Sequence, residues 1–317
     1  MTKNRAVGLL RWGILVLGAL NLLMTLGSLL APLHWTLDLM THFTLQVSGV
    51  LIILLVAGVV LRLRFLWLGL LVIGGMANAW LLYPYFLYET PPVTNDAALT
   101  VVNLNISTRD DHYSQITDYL LTTDADLVAL IEVRQDMLDH LERTLSDEYP
   151  YIYAEPSRWT LGLAFLSKTP FTHTRTVPFE SNGRQFLDVG IEWEDQSITF
   201  YSVHPYPPIM PQWAQSRNAE YTQFADRAAN VDAPLVLVGD FNAVPWSYPV
   251  QQIQATTDLR PANLGYGVRP TWTFARFIQA PLDYLLVSDA IEVVGYEIGP
   301  AVGSDHRPVV ARLRLVD

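Results

Sequence analysis

The hydrophobic positions of this chain fall into two regimes. Before Tyr88 they run almost without a break; after it they come in short runs interrupted by turns and charges. Trp12 to Leu30 is an apolar stretch of about bilayer length, and Phe43 to Leu61 and Phe65 to Leu87 are two more. The pattern predicts a three-helix transmembrane anchor over residues 1–88. The first stretch has a second reading, a cleaved signal peptide whose basic region is Lys3, Arg5 and Arg11. The two spans behind it, and a poor Ala-Pro cleavage site after Leu30, favour retention. Gly69, Gly74, Gly75 and Ala77 permit close helix packing in the third span.

Glu89 to Asn95, with two prolines, reads as a linker (89–95), and residues 96–317 as one soluble domain large enough for a single core. Leu99 to Ile106 and Leu127 to Val133 read as strands. His112 to Thr122 and Met137 to Leu145 have helical spacing. Leu161 to Leu166 is a strand, and Gln185 to Trp193 with Ile198 to His204 form a hairpin around Glu194-Asp195-Gln196. Trp213 to Ala229 is a helix; Leu235 to Val238, Tyr284 to Val287 and Val309 to Leu315 are strands. Strand–helix–strand units followed by hairpins predict an α/β fold of two packed sheets with helices outside.

Composition agrees with this division: 50% of the residues are hydrophobic and 16% charged. The absence of cysteine removes disulfides, thiolate zinc sites and cysteine nucleophiles. Lys3, Arg5, Arg11, Arg62 and Arg64 against Asp38 give the first 88 residues about +4, which leaves about −15 of the total −11 on the remainder. A domain that acidic has no broad nucleic-acid-binding surface. The basic residues also set an orientation. Lys3, Arg5 and Arg11 before the first span, and Arg62 and Arg64 between the second and third, belong in the cytoplasm. The N-terminus is then cytoplasmic, and the soluble domain lies outside a plasma (bacterial inner) membrane. Trp80, Tyr83, Tyr85 and Tyr88 fit an outer aromatic belt. His34, Asp38 and His42 can share one helical face as a metal site, but a solvated loop is the preferred reading.

Asn105, Glu132, His204, Asp240, Asn242, Asp283, Asp305 and His306 all sit at or just past the ends of predicted strands. If those ends converge, four carboxylates share one site with two imidazoles and two amides. Such a set cannot stay ionised together without a cation, because like charges raise each other's pKa. Oxygen donors without thiolates point to Mg²⁺, with Mn²⁺ as the other candidate. A metal to polarise a phosphoryl oxygen, a histidine to take a proton from water and amides to meet developing charge make a phosphate-ester hydrolase.

The strings Leu104-Asn105-Ile106, Ile131-Glu132-Val133, Ser202-Val-His204-Pro, Gly239-Asp-Phe-Asn242, Leu282-Asp283-Tyr284 and Gly303-Ser-Asp-His306-Arg-Pro resemble the endonuclease/exonuclease/phosphatase superfamily. The resemblance covers about residues 99–316. It implies a DNase I-like, four-layer α/β sandwich of two sheets and a metal-dependent phosphodiesterase. It implies Glu132 as the main metal ligand with Asn105, and Asp305 at or near the metal. His306 is the implied general base, or a phosphate holder, oriented by Asp283. By the same resemblance Asp240 and Asn242 would position nucleophile and phosphate. His204 would, on that resemblance, stabilise the transition state or protonate the leaving group. Asn103 competes with Asn105 for the first role; the polar loop after Asn105 favours the latter. Arg184 and Arg217 are read either as phosphate contacts or as surface arginines.

The membrane anchor, the acidic domain and an aromatic rim lean the substrate toward a lipid or small phosphodiester, with the bilayer as a partner. That rim comprises His204 to Trp213 and then Trp246, Tyr248, Trp272, Phe274 and Phe277. An extracytoplasmic nuclease is the alternative, and an inactive membrane-tethered interaction module is the non-enzymatic one. The orientation has a direct test. A reporter fused after Leu87 is expected to be active only in the exported form, and a cytoplasmic signal would reverse the topology.

Overall fold

A computed structural model describes residues 3–92, 98–107, 112–275 and 278–316. The chain divides into two compact units, Met1–Pro84 with Trp246–Tyr248, and Tyr85–Pro245 with Pro249–Asp317.

The first unit is helical: α1 (Lys3–Leu29), α2 (Trp35–Asp38), α3 (Thr44–Val60) and most of α4 (Phe65–Leu87). Three segments, Arg5–Leu29, Trp35–Val60 and Phe65–Leu87, are long and apolar enough to cross a membrane by length and composition. Ile14, Val47, Leu51, Leu54 and Leu71 form their common core. The Arg11 guanidinium donates to Leu61 O from Nε (3.1 Å) and from Nη2 (2.8 Å), serving a carbonyl that the end of α3 leaves open. The stretch around Asp38 is not the solvated loop expected. Short helical turns fill residues 31–43, and Asp38 and Thr41 are buried. The Asp38 carboxylate accepts from the Tyr248 N–H at 2.9 Å, and Trp246 Nε1 donates to Thr41 O at 2.9 Å. These bonds let polar groups leave water. No sequence neighbour announces them, because Trp246–Tyr248 comes from far along the chain.

The second unit is a sandwich. Its first sheet has the order β13 (Ile291–Ile298), β14 (Val309–Leu315), β1 (Leu99–Asn105), β2 (Leu127–Ile131), β4 (Leu163–Ser167) and β3 (Tyr151–Glu155). Its second has β5 (Phe171–Pro178), β6 (Gln185–Trp193), β7 (Gln196–Val203), β8 (Leu235–Asp240), β12 (Asp283–Val287) and β9 (Arg260–Pro261). A separate hairpin pairs β10 (Trp272–Ala275) with β11 (Ile278–Ala280). Only β1–β2 and β7–β8 pair in parallel among the described strands. A parallel pair needs a crossover, and helices supply both: α5 (Tyr113–Thr123) lies between β1 and β2 in the chain, and α7 (Pro211–Ala228) between β7 and β8. A further helix, α6 (Gln135–Leu145), follows β2.

Strand alternation explains the layers. Val101, Leu127, Ala129, Val236, Val238 and Leu285 face the space between the sheets. Their neighbours Val102, Leu104, Val128 and Leu130 face outward onto Ile116, Leu120, Met137 and Leu141 of α5 and α6. Leu235, Leu237 and Leu286 face Tyr221 and Phe224 of α7 and Val250 and Ile253 of α8 (Tyr248–Thr256). The four-layer architecture expected is thus present. The predicted hairpin turns at Glu194 and Asp195, both left-handed at φ 51° and 62°, as a two-residue turn requires. The strands β3, β5 and β13, the β10–β11 hairpin and α8 carry periodicity too weak for the hydrophobic pattern to mark them.

Gly239 lies in β8 at φ 155°, and a Cβ there would lie 1.9 Å from Val203 O on the paired strand. Relief requires the parallel β7–β8 ladder to part. Gly239→Ala is therefore expected to destabilise the domain by about 3 kcal/mol or more. Thermal unfolding that matches the unchanged protein would refute that packing.

Candidate active site

The site lies where inward-facing rows of the sandwich change from apolar to polar. On β1 the row is Leu99, Val101, Asn103, Asn105; on β8 it is Val236, Val238, Asp240; on β12 it is Val287, Leu285, Asp283. Asp283 and Asp240 are direct cross-strand partners in the β12–β8 register. Neighbouring positions on one sheet face are close enough to interact strongly. The second sheet therefore sets two buried carboxylates side by side, and the first sheet brings Asn105 over them. The alternation alone points Glu132 away. Its left-handed backbone, φ 65°, re-aims the chain just past β2.

The side chains meet at short range on every flank. Asn105 Nδ2 donates to Asp240 Oδ2 at 3.1 Å and to Glu132 Oε1 at 3.3 Å. His306 Nδ1 and Asp283 Oδ2 are 2.8 Å apart, while His306 Nε2 is 3.8 Å from Asp240 Oδ2. His204 Nε2 lies 3.8 Å from Glu132 Oε1 and 4.0 Å from Asp240 Oδ2. The Asn242 N–H donates to Asp240 Oδ1 at 2.8 Å, and Asn242 Nδ2 donates to Pro205 O at 2.9 Å. Seven of the eight expected residues thus form one connected cluster. Asp305 is the exception: its side chain is exposed, and its carbonyl accepts from the Thr273 N–H at 3.1 Å. Asn103 stands behind the cluster, fully buried, with Nδ2 on Gly239 O at 3.0 Å.

Burial and mutual charge set the protonation states. Burial disfavours an imidazolium at His306, but the contact with Asp283 and the charges of Asp240 and Asp305 outweigh it and raise its pKa to about 10. Burial raises Asp240, and Asp283 beside it raises it further. At His204 burial acts the other way. With the charges of Arg184 and His306 added, it holds the imidazole well below its ordinary pKa and therefore neutral.

The profile of the Endonuclease/Exonuclease/phosphatase family matches residues 100–306. The chain belongs to the endonuclease/exonuclease/phosphatase family. No curated protein sequence matches it. Among solved structures it is similar to D. rerio TDP2 complexed with single strand DNA product (14% identity, TM-score 0.60), over 69% of this chain and 100% of that one. It is similar to an endonuclease/exonuclease/phosphatase from Beutenbergia cavernae (19% identity, TM-score 0.58), over 69% of this chain and 72% of that one. A functionally unknown conserved protein from Enterococcus faecalis (18% identity, TM-score 0.58) matches over 68% of this chain and 100% of its own. At these identities the likeness is one of fold.

Donor chemistry in this family member suits a divalent cation. Asp240, Asp283 and His306 are buried and offer ligand atoms all within 4.8 Å of one another, a cluster typical of a divalent-metal site. Asp283 Oδ1 is buried without a hydrogen-bond partner among the described residues, which leaves acceptor capacity at the centre.

Two supporting hydroxyls have roles that the sequence does not assign, although Ser304 stands inside the Gly303–Pro308 string. Ser304 Oγ donates to Asn105 O at 2.8 Å and accepts the His306 N–H at 3.0 Å. Thr271 Oγ1 accepts the N–H groups of Leu282 and Asp283, each at 3.0 Å. These are ordinary loop hydroxyls, and only their placement marks them. Arg184 and Arg217 are not surface arginines: the Arg184 side chain is largely covered, and Arg217 is fully buried. Of the expected aromatic rim, Phe274 is 72% exposed and Ile209, within the His204–Trp213 loop, is 64% exposed, whereas Trp246 is buried. Phe277 lies outside the described residues.

The Asp283–His306 contact has a measurable consequence in metal-free protein. A raised imidazole pKa adds stability that is complete below the unfolded value of 6.5 and is lost as pH rises through about 10. Asp283→Asn is expected to bring His306 back toward 6.5 or below and to remove that high-pH loss. Ring NMR of His306 titrated in EDTA measures it; an unmoved titration would show that Asp283 is not the cause.

Proposed function

We propose that this chain is a membrane-anchored, divalent-cation-dependent phosphodiesterase, with Mg²⁺ or Mn²⁺ as its metal. The supporting observation is the convergence of Asn105, Asp240, Asp283 and His306 from two different sheets on one buried point. In this reading Asn105 and Glu132 hold the metal with Asp240 beside them, and Asp305, whose exposed side chain stands outside the cluster, lies near it. When bound, the cation polarises a phosphoryl oxygen and cancels carboxylate charge that otherwise keeps a proton on His306. Asp283 holds Nδ1 of His306, which leaves Nε2 to take the proton of the attacking water. Neutral His204 keeps one N–H and donates it to a non-bridging oxygen as charge builds there. That chemistry favours transition-state stabilisation over proton donation to the leaving group. Asn242, fixed between Asp240 and Pro205, orients the phosphate.

For the substrate, a nucleic-acid phosphodiester is the better supported class. A solved structure of this fold, D. rerio TDP2, carries a single strand DNA product. A lipid or small phosphodiester is the second reading. It is supported by the three apolar helices and by exposed Ile209 and Phe274, which suit an interface. In both readings residues 1–88 anchor the protein, 89–95 link, and 96–317 catalyse on the extracytoplasmic side.

The full chain in detergent is expected to hydrolyse a generic phosphodiester with Mg²⁺ or Mn²⁺. EDTA, Glu132→Ala or His306→Ala should each reduce the rate by at least about 10³-fold. Full activity in any of the three would sink the mechanism, and inactivity of the unchanged protein would leave the interaction-module reading. A panel of single- and double-stranded DNA, RNA, sphingomyelin and other phospholipids decides the class.

A further inference from the structure

We propose that Arg184 is a positioning residue that holds the main chain at His204, and that it does not bind the phosphate itself. The proposal rests on His204 belonging to the phosphodiesterase site described above.

The need for Arg184 begins with the sheet. Strands β6 and β7 pair antiparallel, with Asp188 opposite Tyr201. Continued past its end, that ladder brings Arg184 alongside His204 and Pro205. Backbone pairing fails there, because Pro205 has no N–H and Ser202 Oγ already takes the Leu187 N–H at 2.8 Å. The Arg184 side chain takes over: Nη2 donates to His204 O. Asn242 Nδ2 donates to the next carbonyl, Pro205 O, at 2.9 Å. Two successive peptide planes are thus held, and with them the direction in which the His204 side chain leaves the backbone.

The guanidinium is enclosed on its other sides as well, although among the described residues Nη1 makes no hydrogen bond. Its Cζ lies 4.2 Å over the Tyr206 ring, which stacks on Trp213 at 5.5 Å. Nη1 faces the Glu220 carboxylate on α7 at 3.7 Å. Asn182 closes the circuit, donating from Nδ2 to Glu220 Oε1 at 2.6 Å and accepting the Arg184 N–H at 2.9 Å. Only 8% of the Arg184 side chain is exposed, and Glu220 is fully covered. A charge so enclosed, facing one carboxylate and hydrogen-bonded to the His204 carbonyl, is placed to shape the chain around it. It joins three separate segments, the turn before β6, α7 and the loop from His204 to Met210.

The test uses the full chain in detergent with Mg²⁺ and bis(p-nitrophenyl) phosphate. Arg184→Met alone strands Glu220, so Arg184→Met with Glu220→Gln is the working variant. Its kcat is expected to fall about 10²-fold with KM within about twofold, the size of effect a misplaced group produces. Adding His204→Ala should then cost no more than His204→Ala alone, because both changes remove one function. A raised KM with unchanged kcat, or a multiplied loss in the triple variant, overturns the proposal in favour of direct phosphate contact. Hydrogen exchange reads the clamp without activity. Exchange across 204–213 should quicken at least about tenfold in the double variant; unchanged exchange overturns the proposal. If the unmodified chain hydrolyses nothing, the phosphodiesterase reading fails, and exchange alone still decides whether Arg184 holds the loop.

Discussion

Asp240 and Asp283 sit side by side on adjacent antiparallel strands, inside a sandwich whose other inward positions are largely apolar. Two buried carboxylates in that position repel each other and have lost their water, so both the fold and the chemistry are shaped by what offsets them. Asn105 reaches over from the opposite sheet to give one of them an N–H, the Asn242 backbone gives another, and His306 sits on Asp283. The raised pKa of His306 comes from the carboxylates around it, whereas that of Asp240 comes first from burial and then from the charge of Asp283. A divalent cation is the group that such a set of donors fits.

Holding these groups requires unusual backbone at the strand ends. Glu132, Asn242 and Ser107 all adopt left-handed conformations, at φ 65°, 48° and 54°. Non-glycine residues take up that conformation at a cost, and they keep it where the surrounding packing over-determines them. Here the surroundings are the buried strands β1, β2 and β8, which cannot yield without opening the core. The site therefore combines the terminal residues of strands, Asn105, Asp240 and Asp283, with residues just past strand ends, Glu132, His204 and Asn242.

The two sheets contribute different things. The second sheet supplies the Asp240–Asp283 pair and, past β7, His204; the first supplies Asn105 and Glu132. Neither sheet has a complete site alone. The inter-sheet core of Val101, Ala129, Val238 and Leu285 is what keeps the halves in register. Arg184 performs a comparable task within the second sheet, joining a turn, a helix and a loop through one planar cation.

Much of the fold and of the candidate site is legible in the amino-acid sequence itself. Gly239-Asp-Phe-Asn242 and Ser304-Asp-His306-Arg-Pro place polar residues at the ends of apolar runs, a pattern that a core has no use for. Such local contrasts survive in one dimension, as do the three long apolar helices, because both depend only on near neighbours along the chain. The four layers follow from the order of runs. What the tertiary structure alone decided was proximity. The opposition of Asp240 to Asp283 depends on strand register, and the service of Ser304 and Thr271 depends on loops meeting across the fold. The burial of Arg184 and of Asp38 depends on partners far along the chain. Charge patterns tell what a residue is, but whether it is solvated is settled by what else the chain brings to it.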